Sequence, residues 1–520
     1  MTRIFRVAFA AVLFASALCG SAAAERVIPI NANNTGVFDQ PSVAVSGSTF
    51  FVAYIGDDTG SGAFRVFFAA VNGGVDFANL TVPDSTFVLI SPVAIDNNQA
   101  GANGYFDARH PKIAVRSATG SDIEAVILFQ ARPTAADNVY RPYVARVAIA
   151  NNVATLRSVL QITGFPAGVL TDGDIEDISF NLRLTDNTAR MAFASRATIS
   201  GATPFHVYFA RVALDVATVV GTPLLLSSGN DNTETGSDGF RPVPSLRLDP
   251  AGNAHVAWAA NDNTANPDGI YYSMVTSFPA VDNVGIGATL VPLQTLSWGH
   301  PSVLAPATNN IIVLAADESI PGTAGNIGIV SLNPDAVVKN GHPVANISSN
   351  RSFLTIGPAV LLPSFVLYHP EAFYDGNAHI HLTGYGNSGT SATYYAFQLS
   401  AASPFGTFVT VPISIGFNEF PAELVNDYTK AAFGVLPGRT IIFWSGLIAG
   451  SPNRNLNFTS APNNSFAPAE ESGCAMVTYP QTGETGRVPG ALMLFLPAAA
   501  LAVRRFLAGI RRTPRRSVAD

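Results

Sequence analysis

The sequence predicts an all-β fold, a seven-bladed β-propeller of four-stranded blades. Three observations carry this expectation. The first is composition: 12% charged and 10% aromatic residues, with 44 Gly and 35 Pro among 520 residues, a balance that suits many short strands and turns. The second is repetition. Pro244 to Val275 reads as a strand (Pro-Ser-Leu-Arg-Leu), a turn on Pro250, Gly252 and Asn253, a second strand from His255, a polar loop, and a third strand at Ile270 to Val275. Variants of it fill the chain from about 40 to about 460. The third is spacing. Units begin near Pro41, Pro111, Asp177, Pro244, Pro301, Pro370 and Pro421, at intervals of 70, 66, 67, 57, 69 and 51 residues. Four strands at such a period fit propeller blades with elaborated loops. Parallel β-helices repeat at shorter periods, and immunoglobulin-like arrays need about seven strands per unit.

Strands are read from alternation and β-branched content, and turns from Gly, Asp and Asn clusters. Arg26 to Ile30 is a short leading strand. Unit one follows as PSVAV, FFVAYI, FRVFFAAV and TFVLI, from Pro41, Phe50, Phe64 and Thr86. Unit two has PKIAV, IEAVILFQ, YRPYVARVAI and TLRSVLQI, from Pro111, Ile123, Tyr140 and Thr155. Unit three has DISFNLRL, ARMAFAS, HVYFARVAL and TPLLLS, from Asp177, Ala189, His206 and Thr222. Unit four closes with LVPLQTLS from Leu290. Unit five has HPSVLA, NIIVLAA and NIGIVSL, from His300, Asn310 and Asn326; its outer strand, within the irregular Ala345 to Phe365, has no clear pattern. Unit six has HPEAFY, AHIHLTGY, TYYAFQL and TFVTVPIS, from His369, Ala378, Thr393 and Thr407. Unit seven has FPAELV, AAFGVL, TIIFW and NLNFTS, from Phe420, Ala431, Thr440 and Asn455. No further strand is evident before the polar stretch Ala461 to Glu471, and Arg26 to Ile30 can complete this unit and close the ring without a free edge. Six or eight blades also fit, because units three and seven are weakly patterned.

The ends carry targeting features. Arg3 and Arg6, the apolar run Val7 to Leu18 and Ala22-Ala23-Ala24 form a secretory signal over 1–24. The propeller occupies 25–460 and a Pro-, Asn- and Ser-rich stalk 461–486. Residues 487–520 hold the apolar Val488 to Val503 and then Arg504, Arg505, Arg511, Arg512, Arg515 and Arg516. That run barely spans a bilayer, and its arginines belong on the cytoplasmic side. The expected location is exported, at a bacterial cell envelope or surface. Cys19 leaves with the signal and Cys474 remains alone, so the fold rests on packing rather than disulfides. Two basic residues lie in the signal and seven from Arg487 onward, leaving 20 against 35 acids, near −15 for the exported body. Nucleic acid is excluded as a partner on that balance.

In a propeller, residues entering the first strands and loops following the second strands open on one face. The entries are Asp39-Gln40, Arg109-His110, Glu176-Asp177, Arg241, Trp298 with His300, Tyr368-His369 and Asn418-Glu419. The loops add Asp57-Asp58, Arg132, Arg196, Asn261-Asp262 and Asp317-Glu318. The ligand-binding candidates are Asp39, Arg109, His110, Asp177, Arg241, Asn261, Asp262, His300, Asp317, His369 and Glu419. Arginines suit carboxylates, aromatics suit sugar faces, and carboxylates suit hydroxyls. Polar residues at a wet channel mouth need no ligand, so the mixture is equally that of a solvated rim. No phosphate loop, Cys-based zinc spacing or G-x-S-x-G elbow occurs, and no catalytic residue is assigned. His379 and His381 share a strand face, as metal ligands would, but His255 stands at the place of His379 in unit four, which favours a structural role. No cofactor is called for. Calcium has only acid-rich turns, Asp172-Gly-Asp174 and Asn230-Asp-Asn232, to bind.

Two resemblances add to this reading. The Pro41 to Val45, His300 to Leu304 and His255 to Trp258 strands resemble those of the sialidase-like (BNR-type) propeller superfamily. That resemblance implies a glycan-active hydrolase or lyase, with an arginine triad drawn from Arg109, Arg132 and Arg241. The family's S-x-D-x-G-x-x-W turn does not occur, and its Tyr-Glu pair and acid–base Asp have no counterpart. Ser472-Gly473-Cys474, the apolar run and the arginine cluster resemble bacterial CTERM-type sorting tails, which implies a membrane partner, a tail-processing protease and processing at Cys474. The leading expectation is a surface-anchored propeller that binds a polysaccharide or protein partner without catalysis.

Overall fold

The computed structural model describes residues 28–29, 37–46, 49–57, 60–72, 88–95, 105–117, 123–151, 153–166, 169, 175–183, 186–196, 205–227, 243–260, 269–277, 282–291, 293, 298–317, 325–334, 360–374, 380–387, 391–398, 408–412, 431–436, 439–447 and 454–462. They are almost entirely β. After β1 (Ile28–Pro29), unit one is β2 (Val37–Ser46), β3 (Thr49–Asp57), β4 (Arg65–Asn72) and β5 (Val88–Ile95). Unit two is β6 (Asp107–Ser117), β7 (Ile123–Arg132), β8 (Arg141–Ala150) and β9 (Val153–Gln161). Unit three is β10 (Ile175–Arg183), β11 (Thr188–Arg196), β12 (Phe205–Ala213), β13 (Thr218–Val219) and β14 (Leu224–Leu225). Unit four is β15 (Ser245–Leu248), β16 (Ala254–Ala260), β17 (Gly269–Ser277) and β18 (Asp282–Leu290). Units five and six share a strand: β19 (Trp298–Ala307), β20 (Asn310–Asp317), β21 (Gly325–Leu332), β22 (Val360–Tyr374), β23 (Ile380–Asn387), β24 (Ser391–Gln398) and β25 (Phe408–Pro412). The last unit is β26 (Ala431–Leu436), β27 (Arg439–Leu447) and β28 (Arg454–Pro462).

Each unit is an antiparallel meander. The innermost strands touch in the circuit β2, β6, β10, β15, β19, β22, β26 and back to β2. That is β-propeller architecture. β1 lies antiparallel on β28, Ile28 opposite Phe458 and Pro29 opposite Asn457, so the two ends of the described chain share one sheet.

The core lies between units rather than at the axis. Separate apolar clusters pack unit one on two, two on three, three on four, four on five, five on six and the last on the first. The same aromatic pair recurs across the second and third strands. Tyr54 opposes Phe67, Phe129 opposes Tyr143, Phe193 opposes Tyr208 and Trp258 opposes Tyr271. All four are stacked, with centroids 5.5, 5.5, 5.6 and 6.3 Å apart. Each buried ring contributes roughly 1.5–3 kcal/mol through burial, and direct cross-strand pairing adds to it.

The first strands carry a second repeated device. β2, β6, β10, β19 and β22 each bulge near the start, between Asp39 and Ser42, Arg109 and Lys112, Ile175 and Ile178, Gly299 and Ser302, and Tyr368 and Glu371. Gln40, His110 and His300, each just before a proline, have φ of 53°, 52° and 46°. Left-handed backbone is unusual for such residues, and a bulge re-aims the side chain it holds. Just beyond, serines tie neighbouring first strands. The N–H groups of Ile113, Leu246, Val303 and Ala372 donate to Ser42, Ser179, Ser245 and Ser302 Oγ at 3.0–3.2 Å.

Several outer strands differ from expectation. In unit four the partner of β17 is Asp282–Leu290, not the stretch from Leu290. Gly285 and Gly287 hide it from a β-propensity reading, yet a side chain at 285 would sit 2.7 Å from Thr276 Cγ2. In unit three the outer strand is split into β13 and β14 around Gly221 and Pro223; Pro223 has no N–H for the ladder. In unit five it is the first half of β22, whose second half becomes the innermost strand of unit six. In the last unit the innermost described strand is β26; the stretch from Phe420 lies outside the described residues. So do the signal, the stalk beyond Pro462, Cys474 and the C-terminal segment; residues 461 and 462, expected in the stalk, end β28. Among the described residues no helix is long and apolar enough to cross a membrane.

Candidate functional site

Of the residues expected at strand entries, Asp39, Arg109, His110, Asp177, His300 and His369 lie inside the first strands, at the bulges. His110 and His300 reach a cavity of about 140 Å³ lined by the starts of β2, β6, β10, β15, β19 and the second half of β22. Gln40 lines it too, and its Oε1 accepts the His110 N–H at 2.7 Å.

Three charged side chains in this cavity were not among the sequence candidates: Lys112, Arg247 and Glu371. A signal for two of them was present. Aligned on the residue after the proline of each first strand (after Ile178 in β10), the first strands read Ser42, Lys112, Ser179, Ser245, Ser302 and Glu371. Four serines make the inter-strand ties, and the departures are charges. Arg247 stands two residues further into β15. Burial pushes the Glu371 carboxyl up, against the charges of Lys112 and Arg247. Burial likewise lowers Arg247, against the Glu371 charge. Each keeps partial accessibility while lining the cavity, so the three charges sense one another across it.

One residue before His110, Arg109 leads to a second cluster. Its guanidinium lies 3.7 Å from the Tyr140 ring centroid and its Nε donates to Gln130 Oε1 at 2.8 Å. Arg132 stands 5.0 Å from the Phe106 centroid and 3.3 Å from Asp107 Oδ2. Tyr140 Oη donates to Asp107 Oδ2 at 2.6 Å. Burial and then the Asp107 hydrogen bond and charge push the phenol up to about 12, so it stays a donor at neutral pH. Asp107 also accepts the Phe64 N–H at 2.9 Å, which anchors the cluster on unit one. Phe106 is 40% exposed. Arginine over tyrosine beside an exposed phenylalanine presents flat faces and fixed donors together.

No protein-family model matches the chain, and no curated protein is similar to it in sequence. Among solved structures it is similar to polysaccharide lyase Uly1 at 10% identity and a TM-score of 0.45, over 82% of this chain and 90% of that one. A protein of unknown function from Dyadobacter fermentans gives 10% and 0.44, over 84% and 99%. The α-L-arabinofuranosidase Arb93A from Fusarium graminearum gives 12% and 0.38, over 72% and 96%. At these TM-scores, function has to be read from side chains.

The other candidates divide clearly. Asp39 is a structural tie: it is buried, and its Oδ1 accepts the Gln40 N–H and the Ser445 hydroxyl at 2.8 and 2.7 Å, joining the first unit to the last. Asp57 caps its own loop by accepting the Ser61 and Gly62 N–H groups. Asp177, Asp317 and His369 fall within β10, β20 and β22, where the backbone alone is described. Arg241, Asn261, Asp262 and Glu419 lie outside the described residues, as do His379 and both acid-rich turns. Register corrects one correspondence. His255 opposes Arg247 and His381 opposes Phe373, so the counterpart of His255 is His381, not His379. His255 is fully buried, with Nδ1 2.6 Å from Tyr272 Oη and Nε2 3.2 Å from Asp249 Oδ2. Asp249 also accepts Asn253 N and Nδ2 at 2.8 and 2.9 Å, closing the β15–β16 turn. Among the described residues no three His, Cys, Asp or Glu group as a metal site.

Proposed function

We propose that the protein is an exported β-propeller of seven blades that engages a polysaccharide at the channel end of the ring. The observation that carries this reading is the Phe106–Arg109–Arg132–Tyr140 cluster, one residue from the cavity-lining His110. Aromatic faces take the apolar face of a sugar ring, and fixed guanidinium donors take its hydroxyls. The seven-blade reading is supported by the circuit of innermost strands and by β1 completing the sheet of β28. In this reading the C-terminal tail holds the propeller at the cell surface until a protease cuts it. Mass spectrometry of the mature C-terminus tests that step; an intact arginine cluster on mature protein contradicts it.

One observation favours a catalytic version. Glu371 is a carboxyl pushed up by burial, in a cavity shared with His110 and His300, and a carboxyl shifted in that direction is the kind that serves as a general acid. Among the described cavity-lining residues Glu371 is the single carboxylate. A glycosidase working with a pair of carboxylates needs a second beside Glu371, and a lyase does not. Purified full-length protein on a glycan array, with parallel assays for new reducing ends and for unsaturated uronate absorbance, separates the cases. Binding without either product leaves a binding protein; absence of binding contradicts the proposal.

A further inference from the structure

We infer that the axial cavity is a carboxylate site, in which Lys112 from unit two and Arg247 from unit four take an anionic group between them. The inference rests on the channel being the working end of the fold, and it names the chemistry of what enters. Lys112 and Arg247 line one cavity with Glu371. Among the described residues the three form no direct ion pair with one another, although their charges interact. The cavity they line measures about 140 Å³, room for several waters or for a carboxylate and the carbon bearing it. Two cations facing one carboxyl across an internal space leave positive charge over, which is costly unless an anion neutralises it.

The ligand's charge type follows from the third member. A guanidinium fork and an ammonium suit an anion with two coplanar oxygens. Glu371, whose carboxyl burial pushes up against the charges of Lys112 and Arg247, forms the third side of the same cavity. A dianionic phosphate is less suited, because it brings more negative charge than a carboxylate does against the Glu371 carboxyl. The Oγ atoms of Ser42, Ser179, Ser245 and Ser302 are committed to inter-strand ties, which leaves the charged departures from the serine pattern to meet the ligand. The carboxylate can come from a free small acid or from an acidic sugar of the polysaccharide.

Calorimetric titration of full-length protein at low ionic strength tests this with acetate, galacturonate, galactose and inorganic phosphate. Galacturonate is expected to bind and galactose not. Lys112→Met and Arg247→Met are each expected to weaken galacturonate binding at least tenfold. Equal binding of acetate identifies a free small carboxylate as sufficient; binding of galacturonate alone identifies the sugar unit. Far-UV circular dichroism and a melting curve check that each variant folds, and Arg247→Lys, which keeps the charge, should bind better than Arg247→Met. The inference is overturned if no carboxylate binds, if phosphate binds more tightly than either carboxylate, or if both methionine variants bind as the native chain does. Retention of polysaccharide by a protein that binds no carboxylate sinks this inference and leaves the proposed function standing. Carboxylate binding without retention of any polysaccharide does the reverse.

Discussion

Histidine in this chain takes two roles that differ only in what surrounds the ring. His255 is clasped between Tyr272 and Asp249 and fully buried, so it belongs to the turn of unit four. His110 and His300 sit on left-handed backbone beside a cavity. Asp249→Ala should therefore cost about 1–3 kcal/mol, from the unmade hydrogen bonds of His255 and Asn253, and leave galacturonate affinity as in the native chain. Urea unfolding and calorimetry on the same sample check both. A second test concerns Glu124, which accepts from Arg116 Nε at 2.7 Å and Arg146 Nε at 2.8 Å. Burial opposes its charge, but those hydrogen bonds and charges overcome it and hold the carboxyl below its usual range. A carboxyl depressed in the folded state stabilises above its unfolded pKa, and that contribution fades as pH falls through the folded value. Glu124→Gln should destabilise the protein near neutrality by about 3 kcal/mol. It should also flatten the loss of stability below pH ~4.5, the ordinary range for glutamate. Melting temperature against pH reads both effects. Asp39 shows why single residues were only partly legible: its partner Ser445 is 406 positions away, and no local pattern announces that contact. His110 and His300 were legible because a His-Pro step opens a strand. Lys112 and Glu371 become legible only when the serine register is laid out.

Strands were more legible than their partners. Inner and middle strands have strong periodicity because both faces pack on neighbouring units. The outer strand Asp282–Leu290 was obscured by two glycines, and β22 serves two units with one continuous run. The repeated stacked pairs give a direct test at this scale. A double-mutant cycle on Tyr54 and Phe67 should show a coupling of about 0.5–1.5 kcal/mol in equilibrium unfolding. Additivity would mean the stack contributes area and nothing more. The serine ties give another. Ser245→Ala should cost about 1 kcal/mol, since the Val303 N–H is left without its acceptor.

Over the whole molecule, the circuit of innermost strands positions the cavity and brings side chains from remote units together. β1 contributes to that closure from the far end of the described chain. A chain beginning at residue 31 exposes the edge of β28, and such edges recruit other chains. It should melt lower and associate in light scattering. The account's central claim is that the channel end engages a polysaccharide through the platform and the charged cavity. Its most direct test is retention of full-length protein on immobilised polygalacturonate, compared with Arg109→Ala and Arg247→Met. Retention that falls at least tenfold in both variants is the predicted result. Absence of retention by the native chain, or equal retention by all three, contradicts the claim.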